Sequence, residues 1–312
     1  MDVGGTKVAL RLERNGAAVG ARRWQTVFHW PETGGVAADM AALANALKEL
    51  PGSSGDPVTS VGVALPATLD TEGRVLGWPN RPTWQGLDLQ RQLGALLPGV
   101  QVRVADDGDL AALAEARAAG CRDLVHLGVG TGIGGGVILD GVMRPGTARG
   151  SCEVGHVIVD HRAGEPCDCG RRGCVQSLSS GRAVLRRASR LRGVQVDFGD
   201  LLAAWTTRET WATRVVGEGA SALAAAATSL AELTHPDVIT IGGGFATALP
   251  GYVDEVATHF ISLRRPTGPA PRLRPAALGA LSSLDGATLL ARGVGVNTAP
   301  EDSRAAVTAD AR

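Results

Sequence analysis

The sequence predicts an α/β protein, and three observations carry that prediction. Short apolar strands alternate with helically spaced stretches along the chain. Two strands run into glycine-rich turns with a hydroxyl, Gly4-Gly5-Thr6 and Gly130-Thr131-Gly132, and an apolar strand leaves each turn. Between residues 153 and 176 lies Glu153-Val154-Gly155-His156, followed by Cys167, Cys169 and Cys174.

The 312 residues suffice for one large or two medium domains with a proper core. Hydrophobic residues make up 44% and charged residues 20%, as in ordinary globular proteins. The 31 basic residues balance 31 acidic ones, which argues against an electrostatic footprint for nucleic acid. Only Lys7 and Lys48 are lysines, which fits a GC-rich coding bias. No apolar run reaches the roughly 18 residues of a membrane span, and no signal peptide precedes the first motif. Five cysteines fit a reducing compartment with one metal site. The expected setting is the cytoplasm, with small-molecule partners and neither membrane nor nucleic acid.

In chain order, Asp2-Val3-Gly4-Gly5-Thr6-Lys7 leads into Val8-Ala9-Leu10. Bare glycine amides can approach an anion, Thr6 can donate to it, and Asp2 can hold Mg²⁺ through water. A plain hairpin turn reads similarly. The strand leading into Asp2 is almost missing, so a start upstream of Met1 is expected. Residues 36–50 have helical spacing, broken at 51–57. Val58 to Leu65 reads as a buried strand, and Asp70 to Gly73 as a turn. Trp78 to Trp84 is irregular; its tryptophans line a cleft or simply pack. Leu87 to Leu97 is a short amphipathic helix.

Val100 to Val104 is a strand that ends at Asp106, Asp107 and Asp109. Asp109 is expected to cap a helix over Leu110 to Ala119. Asp106 and Asp107 are then free, at the strand end where open α/β sheets bind ligands. The second glycine turn follows Leu124 to Leu127 and contains G-x-G-x-x-G, but an apolar strand succeeds it, not the helix of a dinucleotide fold. The two turns read as a duplicated phosphate clamp.

Cys167, Cys169, Cys174 and His156 make a closed three-thiolate, one-imidazole set, the composition of a structural zinc site. Gly170 and Gly173 supply positive φ where the loop turns around the metal. The competing reading is a disulfide with a spare thiol. Glu153 and His156, three residues apart, share a helical face; the imidazole nitrogen not on the metal is left for another partner. Beyond the cysteines, Ser180-Gly181 opens a helix to Arg192 whose arginines form a solvated face. Val238 to Ile241 is a strand ending in Gly242-Gly243-Gly244, which accept a flat ring such as adenine or close a tight turn. Arg272 to Arg274 and Asp285 to Ala291 give a last strand and helix. Residues 298–312 lack periodicity and read as a disordered tail.

Together, Asp2 to Lys7, Glu153 to His156 and Cys167 to Cys174 resemble the DxGGTK, ExGH and CxCGxxGC motifs of the ROK family (repressors, open reading frames, kinases), with similarity extending to about residue 295. The resemblance implies an actin-like ATPase (ribonuclease H-like) fold, duplicated domains around a cleft. A small domain over 1–107 regains a C-terminal helix at about 284–297; a large domain over 108–283 carries the zinc. ATP and Mg²⁺ are the implied cofactors, and a homodimer or homotetramer the implied assembly. The implied reaction transfers the γ-phosphate to a hexose 6-hydroxyl, with Asp107 as general base. Gly4, Gly5, Thr6, Lys7, Gly130, Thr131 and Gly132 would hold phosphates, and Gly243 and Gly244 would flank the adenosine. Asp106, Asp107, Glu153, His156 and Gln176 would bind the sugar.

Two departures point to the sugar. The family has Glu-Asn-Asp-Ala-Asn where this chain has Ala105-Asp106-Asp107-Gly108-Asp109. An ionised Asp106 only accepts, and it repels Asp107; an ammonium on the sugar gives it a purpose, through a charge-assisted bond. The family also has Glu where Gln176 stands, so a negative charge is lost near C1/C2 and gained near C3. The expected substrate is therefore 3-amino-3-deoxyglucose (kanosamine), and Ala105 to Cys121 resembles the kanosamine 6-kinases of aminohydroxybenzoate antibiotic pathways. Glucose is the alternative. A ROK transcriptional regulator is the remote one, since one residue rather than a helix-turn-helix domain precedes Asp2. A sugar-binding protein without catalysis conflicts with Asp107 standing beside both phosphate turns.

Overall fold

The computed structural model describes residues 1–14, 22–50, 57–162 and 164–296. The expected tail over 298–312, and most of the break at 51–57, lie outside the described residues. The first part of the chain builds β1 (Asp2–Val3), β2 (Lys7–Glu13), β3 (Arg22–His29), α1 (Gly35–Lys48) and β4 (Ser60–Ala64). A small hairpin, β5 (Thr68–Leu69) and β6 (Val75–Gly77), precedes α2 (Leu89–Leu96) and β7 (Gln101–Ala105). The sheet order is β3-β2-β1-β4-β7, antiparallel among the first three and parallel from β1 to β7.

The second part begins with α3 (Asp107–Ala119), β8 (Leu124–Val129), β9 (Ile133–Leu139) and β10 (Val142–Arg144). Four helices follow: α4 (Val175–Ser179), α5 (Gly181–Arg192), α6 (Phe198–Thr206) and α7 (Thr210–Thr234). β11 (Val238–Gly242), α8 (Gly244–Ala248), α9 (Tyr252–Leu263), β12 (Arg272–Pro275) and α10 (Ser282–Ala291) complete it. The sheet order β10-β9-β8-β11-β12 repeats the first: a three-strand antiparallel meander, then two parallel strands. The duplication read from the glycine turns is thus a duplication of whole sheets. β11, Val-Ile-Thr-Ile-Gly, is buried at every position, as a strand covered on both faces should be.

Local signals set most helix ends. Ser180 caps α5 by accepting the Ala183 N–H, and Gly193 ends it at φ +69°. Asp197 and Asp200 form a capping box on α6. The start of α3 corrects the sequence reading. The helix begins at Asp107, and Asp106, not Asp109, is its cap, accepting the Gly108 N–H at 2.9 Å. Asp109 lies in the first turn, buried. The arginines of α5 are also not all solvated: Arg187 donates to the carbonyls of Leu178 and Val215 and pairs with Glu218. Of the two readings of Trp78 and Trp84, packing holds, because both are buried edge-to-face with centroids 4.9 Å apart.

The two sheets meet through α3 and α10. Ala64 and Ala105 from the first sheet, Leu124 and Ile138 from the second, and Leu110, Leu113, Ala287 and Leu290 from the helices form one buried cluster. The approach is too close for side chains. A Cβ on Gly62 would lie 1.9 Å from the Ala287 carbonyl oxygen, and one on Gly286 would lie 2.0 Å from that of Leu110. Both obstacles are backbone, so neither can swing aside. Gly62→Ala is therefore expected to cost about 3 kcal/mol or more of stability, read as a lowered midpoint in urea denaturation.

Candidate active site

Gly108 seats the first turn of α3 directly on β9: its Cβ would lie 2.5 Å from the Gly135 amide nitrogen. The turn carries Asp107 and Asp109, with Asp106 at its cap. Both Asp109 carboxylate oxygens accept the Cys152 N–H, at 3.3 and 3.4 Å, which ties α3 to the segment before Glu153. Glu153 accepts from the Ser151 hydroxyl at 2.7 Å, and its other oxygen lies 3.9 Å from His156 Nε2. Asp106, Asp107, Asp109 and Glu153 are therefore close enough for their charges to act on one another. Asp2 approaches from the other sheet, where it accepts from Ser283 at 2.8 Å.

This crowding shows in the protonation equilibria. Burial first, then the charges of Asp107, Asp109 and Glu153, push Asp106 well above the usual carboxylate range, against the pull of the Gly108 amide. Burial and then the charge of Asp2 raise Asp107. Burial is also the first cause at Asp109, which reaches about 7. Among the described residues, no arginine or lysine forms an ion pair with Asp106, Asp107, Asp109 or Glu153. Burial and mutual repulsion thus favour the protonated forms of these carboxyls, and a cation placed among them would favour the ionised forms.

The two glycine hairpins flank this acidic turn. Gly4 to Thr6 joins β1 to β2, with Thr6 and Lys7 exposed. In the second hairpin Gly130 donates to the Gly132 carbonyl at 2.9 Å, and the Gly130 carbonyl accepts from Gly181 at the start of α5. Thr131 is exposed at the tip. Gln176 reaches back to this hairpin: its side-chain oxygen accepts the Ile133 N–H at 2.9 Å, leaving its amide N–H groups for another partner. Gly243, at φ +88°, lies with its Cβ direction 2.4 Å from the Val129 carbonyl oxygen, so it makes the tight strand–helix turn. Gly244 beside it faces open space. Of the two readings of the glycine triplet, the tight turn holds at Gly243.

The His156 ring and the three thiols converge as expected. One ligand atom from each of His156, Cys167, Cys169 and Cys174 lies within 4.8 Å of the others. Cys167 Sγ is 3.6 Å from His156 Nδ1, and Cys169 Sγ is 3.7 Å from Cys174 Sγ. A zinc tetrahedron with Zn–S near 2.3 Å and Zn–N near 2.05 Å has edges of about 3.6 Å (S···N) and 3.8 Å (S···S). The donor set fits zinc, and all three cysteines are free thiols rather than a disulfide. Gly170 and Gly173 stand at φ +85° and +74°, and at Gly173 a Cβ would lie 1.7 Å from the Asp160 carbonyl oxygen. With Nδ1 turned to the thiols, Nε2 is the imidazole nitrogen that faces Glu153. Val175, next to the last ligand, donates to Val157 at 2.8 Å, so the cysteine loop and the Glu153–His156 turn are bonded to each other.

Sequence reasoning missed Cys152, Ser283 and the buried partners of the first turn. Ser283 meets Asp2 across 281 residues, a pairing with no local signal.

Comparison with known proteins agrees with this geometry. The kanosamine kinase of Amycolatopsis mediterranei (strain S699) is 48% identical over 301 residues, 96% of this chain and 97% of that protein. The ROK hexokinase from Thermus thermophilus superposes with a TM-score of 0.83 at 32% identity, covering 93% of this chain and 96% of that one. The ROK family glucokinase from Streptomyces griseus, solved in complex with glucose and AMPPNP, gives 0.75 at 26% identity, covering 94% and 98%. The paired sheets are those of the actin-like ATPase fold, which these sugar kinases have. The ROK family model itself matches residues 1–294, from the first glycine hairpin to the end of α10, and the chain belongs to the ROK family.

Proposed function

We propose that this protein is an ATP-dependent sugar kinase that phosphorylates the 6-hydroxyl of kanosamine. The observation that carries the choice of sugar is the cluster of four carboxyl groups with no arginine or lysine paired to it among the described residues. An ammonium on the sugar would relieve that crowding, and the similar Amycolatopsis protein bears the name kanosamine kinase. In the proposed step Asp107 accepts the 6-hydroxyl proton as that oxygen bonds the γ-phosphorus, the bond to the β-phosphate oxygen breaks, and ADP leaves. Asp106 takes the 3-ammonium with the carboxylate oxygen not used on Gly108. Glu153, His156 Nε2 and the Gln176 amide bind the remaining hydroxyls.

The glycine hairpins Gly4 to Thr6, with Lys7, and Gly130 to Gly132 grip the phosphates. Gly243 and Gly244 flank the adenosine, with Gly243 making the turn and Gly244 leaving the room. Asp2, steadied by Ser283, would hold Mg²⁺ through water, and Mg²⁺ supplies charge neutralisation at the phosphates. His156, Cys167, Cys169 and Cys174 would hold zinc, whose part is to fix the wall that carries Glu153. Glucose is the second reading. It is favoured by the capping bond from Gly108, which accounts for Asp106 without an ammonium.

We also divide the chain into a domain of 1–107 with α10 and a domain of 108–283, on the pattern of the two sheets. The exposed Ile158, Leu233 and Ile261 support a homodimer or homotetramer, and the free cysteines a cytoplasmic setting. Sedimentation tests the assembly.

With ATP and Mg²⁺, kcat/KM for kanosamine should exceed that for glucose; equal or better glucose turnover would overturn the amino-sugar reading. Asp106→Asn keeps a good helix cap and should shift the ratio towards glucose. Asp107→Asn should lower kcat by about 10²–10⁴-fold while sugar still binds in calorimetry. Because burial raises Asp107, the ionised base is lost on acidification before an ordinary carboxylate would be. The acid limb of kcat/KM should therefore lie well above the usual carboxylate range, at about 6. Chelation that strips the metal should lower Tm and raise the KM for sugar together, with elemental analysis giving about one zinc per chain.

A further inference from the structure

We propose that Trp30 and Arg81, the latter held by the buried carboxylate of Asp39, are positioning residues that aim the Gly5 and Thr6 amides at the phosphates of ATP. The inference rests on the kinase reading above, but its support is separate.

All three carbonyls of the first glycine turn are taken from behind. The Trp30 indole N–H donates to the Gly4 carbonyl at 2.7 Å. Arg81 Nη1 donates to the Gly5 carbonyl at 3.3 Å. The Trp30 backbone N–H donates to the Thr6 carbonyl at 3.1 Å. In a planar trans peptide the C=O of one residue and the N–H of the next point in opposite directions. Drawing the Gly4 carbonyl inward therefore turns the Gly5 N–H outward, and drawing in Gly5 does the same for Thr6. Among the described residues neither amide has a protein acceptor. Two successive unfilled N–H groups on one side of a turn form an anion-binding concavity.

The brace is itself immobilised. Asp39, on α1, is fully buried. One of its carboxylate oxygens accepts from Arg81 Nε at 3.1 Å and from the Trp84 indole at 2.7 Å, while the other accepts from Arg81 Nη2. The guanidinium lies 5.1 Å from the Trp30 ring centroid, and Trp30 packs edge-on against Trp84 and Phe28. Asn80 closes the back of the turn: a Cβ on Gly5 would lie 2.5 Å from the Asn80 Cβ. Arg81 has its charge matched by Asp39 and points at a carbonyl, so it acts through the turn and is not itself a phosphate ligand.

Trp30→Phe tests the brace, because it keeps an aromatic ring in the packing and removes the N–H that holds Gly4. The KM for ATP should rise about tenfold, the scale of one lost bond to a charged ligand. Sugar KM and calorimetric affinity for AMP, which has neither β- nor γ-phosphate, should stay within about twofold. A second variant, Asp39→Asn with Arg81→Gln, leaves no lone buried charge and should move ATP in the same direction. Unchanged ATP kinetics in folded Trp30→Phe would overturn the proposal. So would a loss shared equally by ATP, AMP and sugar, which would mark plain destabilisation. Wild-type protein without ATP-dependent sugar phosphorylation would instead refute the kinase reading.

Discussion

The molecule depends on one contact between bare backbones, the first turn of α3 lying on the glycines of β9. Gly108 abuts Gly135, and a Cβ on Gly136 would lie 2.7 Å from the Asp109 Cα. No other residue type fits on either side. The contact places a helix start, an acidic cap and the second glycine hairpin within reach of one another. It also brings Asp109 onto the Cys152 amide, so the wall bearing Glu153 is indexed to the helix rather than hung from a free loop. The same helix packs on α10 at Gly286, through which the first sheet joins the assembly.

That close seating has an electrostatic cost. Three aspartates enter the site with little solvent and, among the described residues, no basic residue paired to them, and each is held above its ordinary pKa by burial first. A protein selected only for stability would place a cation here or remove a carboxylate. On the proposed function, the crowding is kept where a cationic sugar and a divalent metal would enter, and their charge would relieve it.

Much of this was legible in the residue order, and the limits have physical causes. The cluster of His156, Cys167, Cys169 and Cys174 and its two glycines could be read because the constellation is local: spacing and φ are decided within a short stretch of chain. The two hairpins were legible because glycine at a strand end has few alternative uses. The start of α3 was misread because Asp106 and Asp109 are equally good caps in isolation. The choice between them is made by Gly135, on a strand that comes later. Trp30, Asp39 and Arg81 gave no signal, since each is an ordinary residue until the fold sets it behind Gly4 and Gly5.

The position of α10 has a further consequence for how the molecule is made. Its backbone fills the groove that Gly62 opens on β4, yet it leaves the ribosome after every strand of both sheets. The face of the first sheet that α10 covers is therefore completed only by residues that follow both sheets in the chain. Among the described residues α10 is the last helix, so the cover it gives to both halves comes from the end of the described chain.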